Sequence, residues 1–266
     1  FLDGRGDVVA TLSPTPRDAA LHLEQARQSL DAGRRLAQAR AIAAGRLRNA
    51  HALLKRLDRR RRDPVVAEAC DALHRLRRRA EHGETLDAVR GFEGAGAARY
   101  WPALGRCLLH GWTHDKRRRH PARDPVNAAF DWAAALLLRE VHAAVTRAGL
   151  HPGFGTLHAE GAGQEALVYD LAEAFRAPLA EGFVVYLFNN RILGEDDFTP
   201  LAEGVRFSGP GGRAFIGAWE KWLARSVRNP RSGNATVWRG LILAEARACA
   251  AALRAGEAFV PYVLDF

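Results

Sequence analysis

The stretch Asp124–Gly149, DPVNAAFDWAAALLLREVHAAVTRAG, decides the fold. Asp124 can cap a helix, and Pro125 suits a first helical turn. Gly149 is a natural residue just past a helix end. The residues between are apolar almost all round, which predicts a central buried helix. Working outward, apolar residues recur at three- and four-residue intervals in LHLEQARQSL (21–30) and LAQARAIAAGRLRNAHALLKRL (36–57). RRRRDP (59–64) breaks that pattern, and VVAEACDALHRLRRRA (65–80) resumes it. Thr85 is placed to cap a helix through GFEGAGAARYW (91–101), whose glycines suggest close packing or a bend. EALVYDLAEAFR (165–176) is helical, and two more helices are expected near 213–228 and 235–256. FVVYLF (183–188) reads equally as strand or as buried helix. A small β-hairpin is expected near 204–216, and 1–13 reads as the end of a β-rich unit. The fold class is therefore mainly α, with one helical domain over 14–266.

The chain has 266 residues, of which 48% are hydrophobic, enough for a sizeable core. The net charge is +9, and Lys55, Lys116 and Lys221 are the only lysines. Arg suits bidentate phosphate contacts, so a polyanion partner fits the composition. A high-GC codon bias fits it equally well. Cys70, Cys107 and Cys249 are odd in number and far apart, which argues for a reducing compartment and against a disulfide frame or zinc site. The longest apolar run is interrupted by Asp131, Arg139 and Glu140, so it is not a membrane span. A first residue Phe1, the absence of Met and the lack of a signal peptide lead to the expectation of a piece of a longer cytoplasmic product.

Glu140 stands among Leu136, Leu137, Ala143 and Ala144 at helical spacing, an apolar setting for a carboxylate. Asp170 and Glu173 share one helix face at the border of the stripe Leu167, Leu171 and Phe175, and His158 lies just upstream. Glu140, His158 and Glu173 together suit one hard divalent cation, Mg²⁺ or Mn²⁺. An ordinary ion pair of Glu140 with Arg139, Arg147 or Arg176 explains the same pattern, and spacing alone favours that pair. The dipeptide His114–Asp115 is weak support for a metal phosphohydrolase. No phosphate-binding loop, nucleophile elbow or Cys–His signature is present.

GFEGAGAARYW, HPARDPVNAAFDWAAALLLREV, GLHPGFGTLH and ALVYDLAEAFRAPL, in this order and spacing, resemble the helical catalytic domain of the CRISPR-associated spacer-acquisition integrase, the first-numbered protein of that system. The resemblance covers about 1–261. It implies strand transfer of spacer DNA 3′-OH ends into the CRISPR repeat, with endonuclease activity, in a prokaryotic cytoplasm. It implies Glu140, His158 and Glu173 as ligands of Mg²⁺ or Mn²⁺, with Asp170 beside them. It also implies a homodimer built by an N-terminal β-domain, the small second-numbered CRISPR-associated protein as partner, and in some relatives a fused reverse transcriptase or nuclease. Two features depart from the pattern: AEGAGQEA (159–166) lacks a basic residue, and Glu181 stands where Asp is common. A helical DNA-binding scaffold without catalysis is the alternative. The loop THDKRRRHPARDPVN (113–127) is expected to clamp phosphate through Lys116, Arg117, Arg118, Arg119 and Arg123. Trp112 is expected to stack on a base, and Arg176 to add a further DNA contact.

Overall fold

The computed structural model describes residues 18–118, 121–158 and 164–263. The β-segment expected over 1–13, and Arg119 of the basic loop, lie outside the described residues. Helix α1 spans Ala19–Leu30 and α2 spans Ala32–Leu57. Asp31 separates them, ending α1 and accepting from Arg34 N–H at the start of α2. Asp63 caps α3 (Pro64–Glu81), with Pro64 in its first turn. Thr85 caps α4 (Leu86–Arg106), and Asp124 caps α5 (Pro125–Arg147) by accepting from Asn127 N–H at 2.8 Å. Gly149 takes φ 79°, so the chain leaves α5 in the left-handed conformation that glycine tolerates best.

Helices α2, α3 and α4 pack on one another, and α5 packs against α6 (Ala166–Phe175) and α9 (Trp238–Ala255). In α2 the run from Ile42 to Leu47 is buried without a break, as are Asn49 and Ala50, and in α6 only Tyr169 is not buried. α2 packs tightly on α4 at Gly96, where a Cβ would come within 2.2 Å of Leu47 Cδ2. α5 is less enclosed than its composition predicts, because Trp132 is exposed on its outer side.

α6 does not end at Arg176. It runs through a π-helical turn, Arg176–Glu181, into α7 (Gly182–Asn189). Gly182 N–H donates to Ala177 O, five residues back. Pro178 has no N–H to give, which suits a ladder already shifted by one residue. FVVYLF thus resolves as helix: Phe183, Val184, Val185, Leu187 and Phe188 are all buried, and packing overrides their β-propensity.

The hairpin lies somewhat earlier than expected, with β1 (Phe198–Leu201) antiparallel to β2 (Gly204–Phe207). Ser208 then caps α8 (Gly209–Leu223), so GPGGRAFI is the start of a helix. A second short hairpin, β3 (Ser226–Arg228) with β4 (Ala235–Val237), precedes α9. The fold is mainly α, as the sequence predicts. None of the described helices is long and apolar enough to cross a membrane.

Candidate active site

A cavity of about 850 Å³ opens where α2, α4, α5, α6 and the π-helical turn converge. Arg46 reaches it from α2, Glu93 and Trp101 from α4, and Phe130 and Ala134 from α5. Tyr169 and Glu173 line it from α6, Arg176 and Glu181 from the π-turn, and Arg117 and His158 from loops. The shifted ladder of the π-turn lets Glu173, Arg176, Ala180 and Glu181 all face one space.

Asp170 organises the loop that carries His158. Its Oδ2 accepts from Thr156 N at 2.6 Å, Thr156 Oγ1 at 3.0 Å and Leu157 N at 3.1 Å. Its Oδ1 accepts from His158 N at 3.0 Å and lies 2.7 Å from His158 Nδ1. Arg35 and Arg90 hold the same loop by donating to the carbonyls of Thr156 and Leu157. With Nδ1 engaged, Nε2 is the nitrogen left to face Glu173, 3.8 Å away. A carboxylate on one imidazole nitrogen fixes the tautomer and raises the basicity of the other. Burial works against a charged His158, yet the bond to Asp170 and the charge of Glu173 raise its pKa above the ordinary value.

Glu173 is buried, and burial pushes its carboxyl up. The guanidiniums of Arg176 and Arg46 outweigh this and hold it below the usual range. Arg176 Nε donates to Glu173 at 2.6 Å, and Arg46 Nε stands 3.3 Å from its other oxygen. Arg46 is itself buried and grips Glu181 through Nη1 at 3.1 Å and Nη2 at 2.8 Å. Tyr100 donates to Glu181 at 2.6 Å. Removing Arg46 would leave the buried Glu181 without a cationic partner among the described residues, a loss of roughly 3–5 kcal/mol.

Glu93 has the opposite shift. Burial first, then the negative charge of Glu173, raise its pKa above the ordinary carboxylate value. Sequence reasoning missed this residue. The available signal was a carboxylate set in the Gly- and Ala-rich run 91–98, at the place where two helix backbones approach closely.

Glu140, by contrast, is not brought to this cavity. It follows Ala134 by six residues, so it projects about 9 Å further along α5 and roughly 120° around it. There it accepts from Arg239 Nε at 3.0 Å and Nη2 at 2.8 Å, and Arg239 also grips Glu220. The ion-pair explanation of Glu140 therefore describes this structure, with Arg239 of α9 in place of the arginines considered from sequence.

Trp112 is also displaced from its expected role. It is half-buried and packs on Phe188, with ring centroids 4.7 Å apart. Arg117 turns inward, donating to Asn127 Oδ1 at 2.9 Å and Asp131 at 2.5 Å, and stands over Trp101 and Phe130. Arg118 pairs with Asp115, while Lys116 and Arg123 are exposed. His114 is wedged between Trp101 and Phe130, so its dipeptide with Asp115 forms no pair of metal ligands.

In this conformation no three His, Cys, Asp or Glu side chains among the described residues are grouped closely enough to hold a metal ion. With Glu181 engaged by Arg46 and Tyr100, the remaining donors around the cavity are ones that a hard divalent cation takes: the carboxylates of Glu93 and Glu173 and the imidazole of His158. Burial, and then the repulsion of Glu173, raise Glu93, and a bound cation would offset both. By that measure Glu93, His158 and Glu173 fit a cation.

The family model for CRISPR associated protein Cas1 matches residues 1–221. A CRISPR-associated endonuclease Cas1 of Thermus thermophilus is 38% identical over 230 residues, which are 86% of this chain and 67% of that protein. A CRISPR-associated exonuclease Cas4/endonuclease Cas1 fusion of Rhodospirillum rubrum is 34% identical over 238 residues, covering 87% of this chain and 41% of the fusion. The chain thus spans less than half of that fusion. Among solved structures, a Cas1 protein from Thermotoga maritima has a TM-score of 0.81 at 24% identity, across 100% of this chain and 79% of that one. A casposase bound to its integration product also has a TM-score of 0.81, at 21% identity, across 99% of this chain and 74% of that one. At these identities the two structural likenesses establish the fold.

Proposed function

The chain belongs to the CRISPR-associated Cas1 family, and from that premise we propose that it is a divalent-metal-dependent DNA integrase and endonuclease of spacer acquisition. In this reading residues 14–266 form the integrase domain. Spacer-precursor DNA and the CRISPR repeat are its substrates, and Mg²⁺ or Mn²⁺ its cofactor. The observation that carries the reading is the meeting of Glu93, His158 and Glu173 in one basic-walled cavity.

Glu93, the Nε2 of His158 and Glu173 would hold the cation. When bound, it supplies Lewis-acid polarisation of a phosphodiester and a lowered pKa for the attacking hydroxyl. Asp170 keeps His158 in one orientation, so the imidazole is pre-arranged. Arg46 neutralises the buried charge of Glu173 and Glu181. Arg117 and Arg176 line the cavity and favour the negative charge of a phosphoryl group entering it. The reaction exchanges one phosphodiester for another. A donor 3′-oxygen bonds to a target phosphorus, the bond from that phosphorus to its own 3′-oxygen breaks, and the leaving 3′-oxygen takes the proton. Water as attacker gives hydrolysis.

The partners follow the same reading. A solved assembly of the same fold is a Cas6-RT-Cas1–Cas2 complex, and the Rhodospirillum relative is a Cas4 fusion. We assign this chain a Cas2-type partner, a homodimeric full-length state and a reverse transcriptase or nuclease fusion as the form to look for.

Glu93 and Glu140 provide the test. Strand transfer of 3′-OH duplexes into supercoiled repeat DNA, in Mn²⁺ or Mg²⁺, should vanish in Glu93→Ala and persist in Glu140→Ala. The reverse outcome would overturn the ligand assignment.

A further inference from the structure

Helix α2 has a second functional side. Arg46 and Arg48 are two residues apart, about 200° around the helix, so they point in nearly opposite directions. Arg46 enters the catalytic cavity, whereas Arg48 lines two adjoining hollows on the α2–α3 face. One, of about 350 Å³, has Arg48, His51, His74 and Arg77 around a floor of Leu47 and Leu73. The other, of about 370 Å³, shares Arg48 and Arg77 and adds Arg40 and Glu81.

Positive charge is concentrated here with little to oppose it. Arg48 is exposed and enters no ion pair among the described residues. Among the described residues Arg77 is tied only by Glu81, at 2.7 Å, in a half-buried pair one helical turn apart. Asp71 is the carboxylate whose charge is felt at His51. Burial first, and then the charges of Lys55, His74 and Arg77, hold His51 below its ordinary pKa. Arg40, Arg48, His51 and Lys55 form a stripe along α2. It spans fifteen positions, about 22 Å of helix, or roughly six base-pair steps of duplex DNA.

We propose that the α2–α3 groove is a second DNA-phosphate-binding surface, on the opposite side of α2 from the catalytic cavity. A strand-transfer enzyme handles two DNA segments, and a duplex in this groove would be a different one from that whose end reaches Glu93 and Glu173. The choice of DNA as the polyanion rests on the function proposed above. The presence of an anion-binding groove does not.

The test uses a duplex closed at both ends by hairpin loops, which offers no end to the catalytic cavity. Binding is measured across a salt series for the wild type, the double variant Arg48→Gln/Arg77→Gln and the single variant Arg48→Glu. The single variant alters an exposed side chain and so preserves the fold. Both variants should bind more weakly. The double variant should flatten the slope of log affinity against log salt by about 2, near 0.9 per lost phosphate contact. Unchanged affinity and parallel salt lines would overturn the proposal. A flattened slope in a protein that transfers no strand with either cation would uphold the groove while the catalytic reading fell.

Discussion

His158 Nδ1 lies 2.7 Å from Asp170 Oδ1, and the same carboxylate accepts three backbone N–H groups from 156–158. Asp170 therefore positions both the imidazole and the loop that carries it. Its oxygens are spent on these bonds, so it stands behind His158 and does not face the cavity. Asp170→Asn keeps the volume but loses one acceptor oxygen. We expect it to lower metal affinity and strand transfer by about 10–100-fold, with Glu173→Ala more damaging. Titration of Mn²⁺ against both variants checks this. An Asp170→Asn variant more defective than Glu173→Ala would exchange their roles.

The grip of Arg239 on Glu140 predicts a mild phenotype. Arg239 is half-exposed and shared with Glu220. Exposed pairs of this kind contribute about 0–1 kcal/mol. Arg239→Ala and Glu140→Ala should each shift the unfolding free energy by less than about 1 kcal/mol and leave strand transfer near the wild-type rate. Denaturant unfolding and the transfer assay measure both quantities. Loss of transfer in Arg239→Ala would tie α9 to the chemistry.

The helix boundaries were legible in the sequence because capping is local. Asp63, Thr85, Asp124 and Gly149 each act within a few residues of the chain. FVVYLF was not legible, because burial from every side removes the alternation that separates strand from helix. Glu140 misled for a related reason. Apolar neighbours one turn away reveal that its helix face is covered, but not which element covers it. Here the cover is α9, about a hundred residues downstream, bringing Arg239. Glu93 was hidden by the reverse effect. Its neighbours Gly94, Ala95 and Gly96 carry almost no periodic signal, although the smallness of Gly96 is what lets α4 approach α2. His158, Asp170 and Glu173 were visible because the loop and helix that hold them are adjacent in sequence.

His114 should make the protein acid-sensitive. Burial against Trp101 and Phe130 lowers its pKa from 6.5 to about 4. The folded state keeps the ring neutral, whereas the unfolded chain takes up a proton near pH 6.5. The stabilisation is complete above pH 6.5 and is lost as the pH falls from there towards 4. Between pH 7 and pH 5 this site alone costs on the order of 1–2 kcal/mol. His114→Phe should show a shallower decline over that interval in denaturant unfolding. Curves of equal slope for the variant and the wild type would place the titration elsewhere.

Gly94 and Gly96, two residues apart and on nearly opposite sides of α4, should behave in opposite ways. A Cβ at Gly94 meets nothing within 4 Å, while one at Gly96 falls 2.2 Å from Leu47 Cδ2 and 3.4 Å from Leu73 Cδ2. Alanine at 94 removes the entropy cost of glycine in a helix and should stabilise by roughly 0.5–1 kcal/mol. Alanine at 96 gains the same helical term. It must also push α4 from α2 or drive Leu47 from its buried rotamer, a penalty of about 1–3 kcal/mol. The net effect should be a loss. The displacement also reaches the chemistry, since Glu93 lies less than one turn before Gly96 and Arg46 immediately precedes Leu47. Gly96→Ala should therefore reduce strand transfer even at temperatures where the variant is fully folded, and Gly94→Ala should not. Thermal unfolding paired with the transfer assay separates these effects. Equal stability and activity in the two variants would mean that the α2–α4 contact is loose and does not set the position of Glu93.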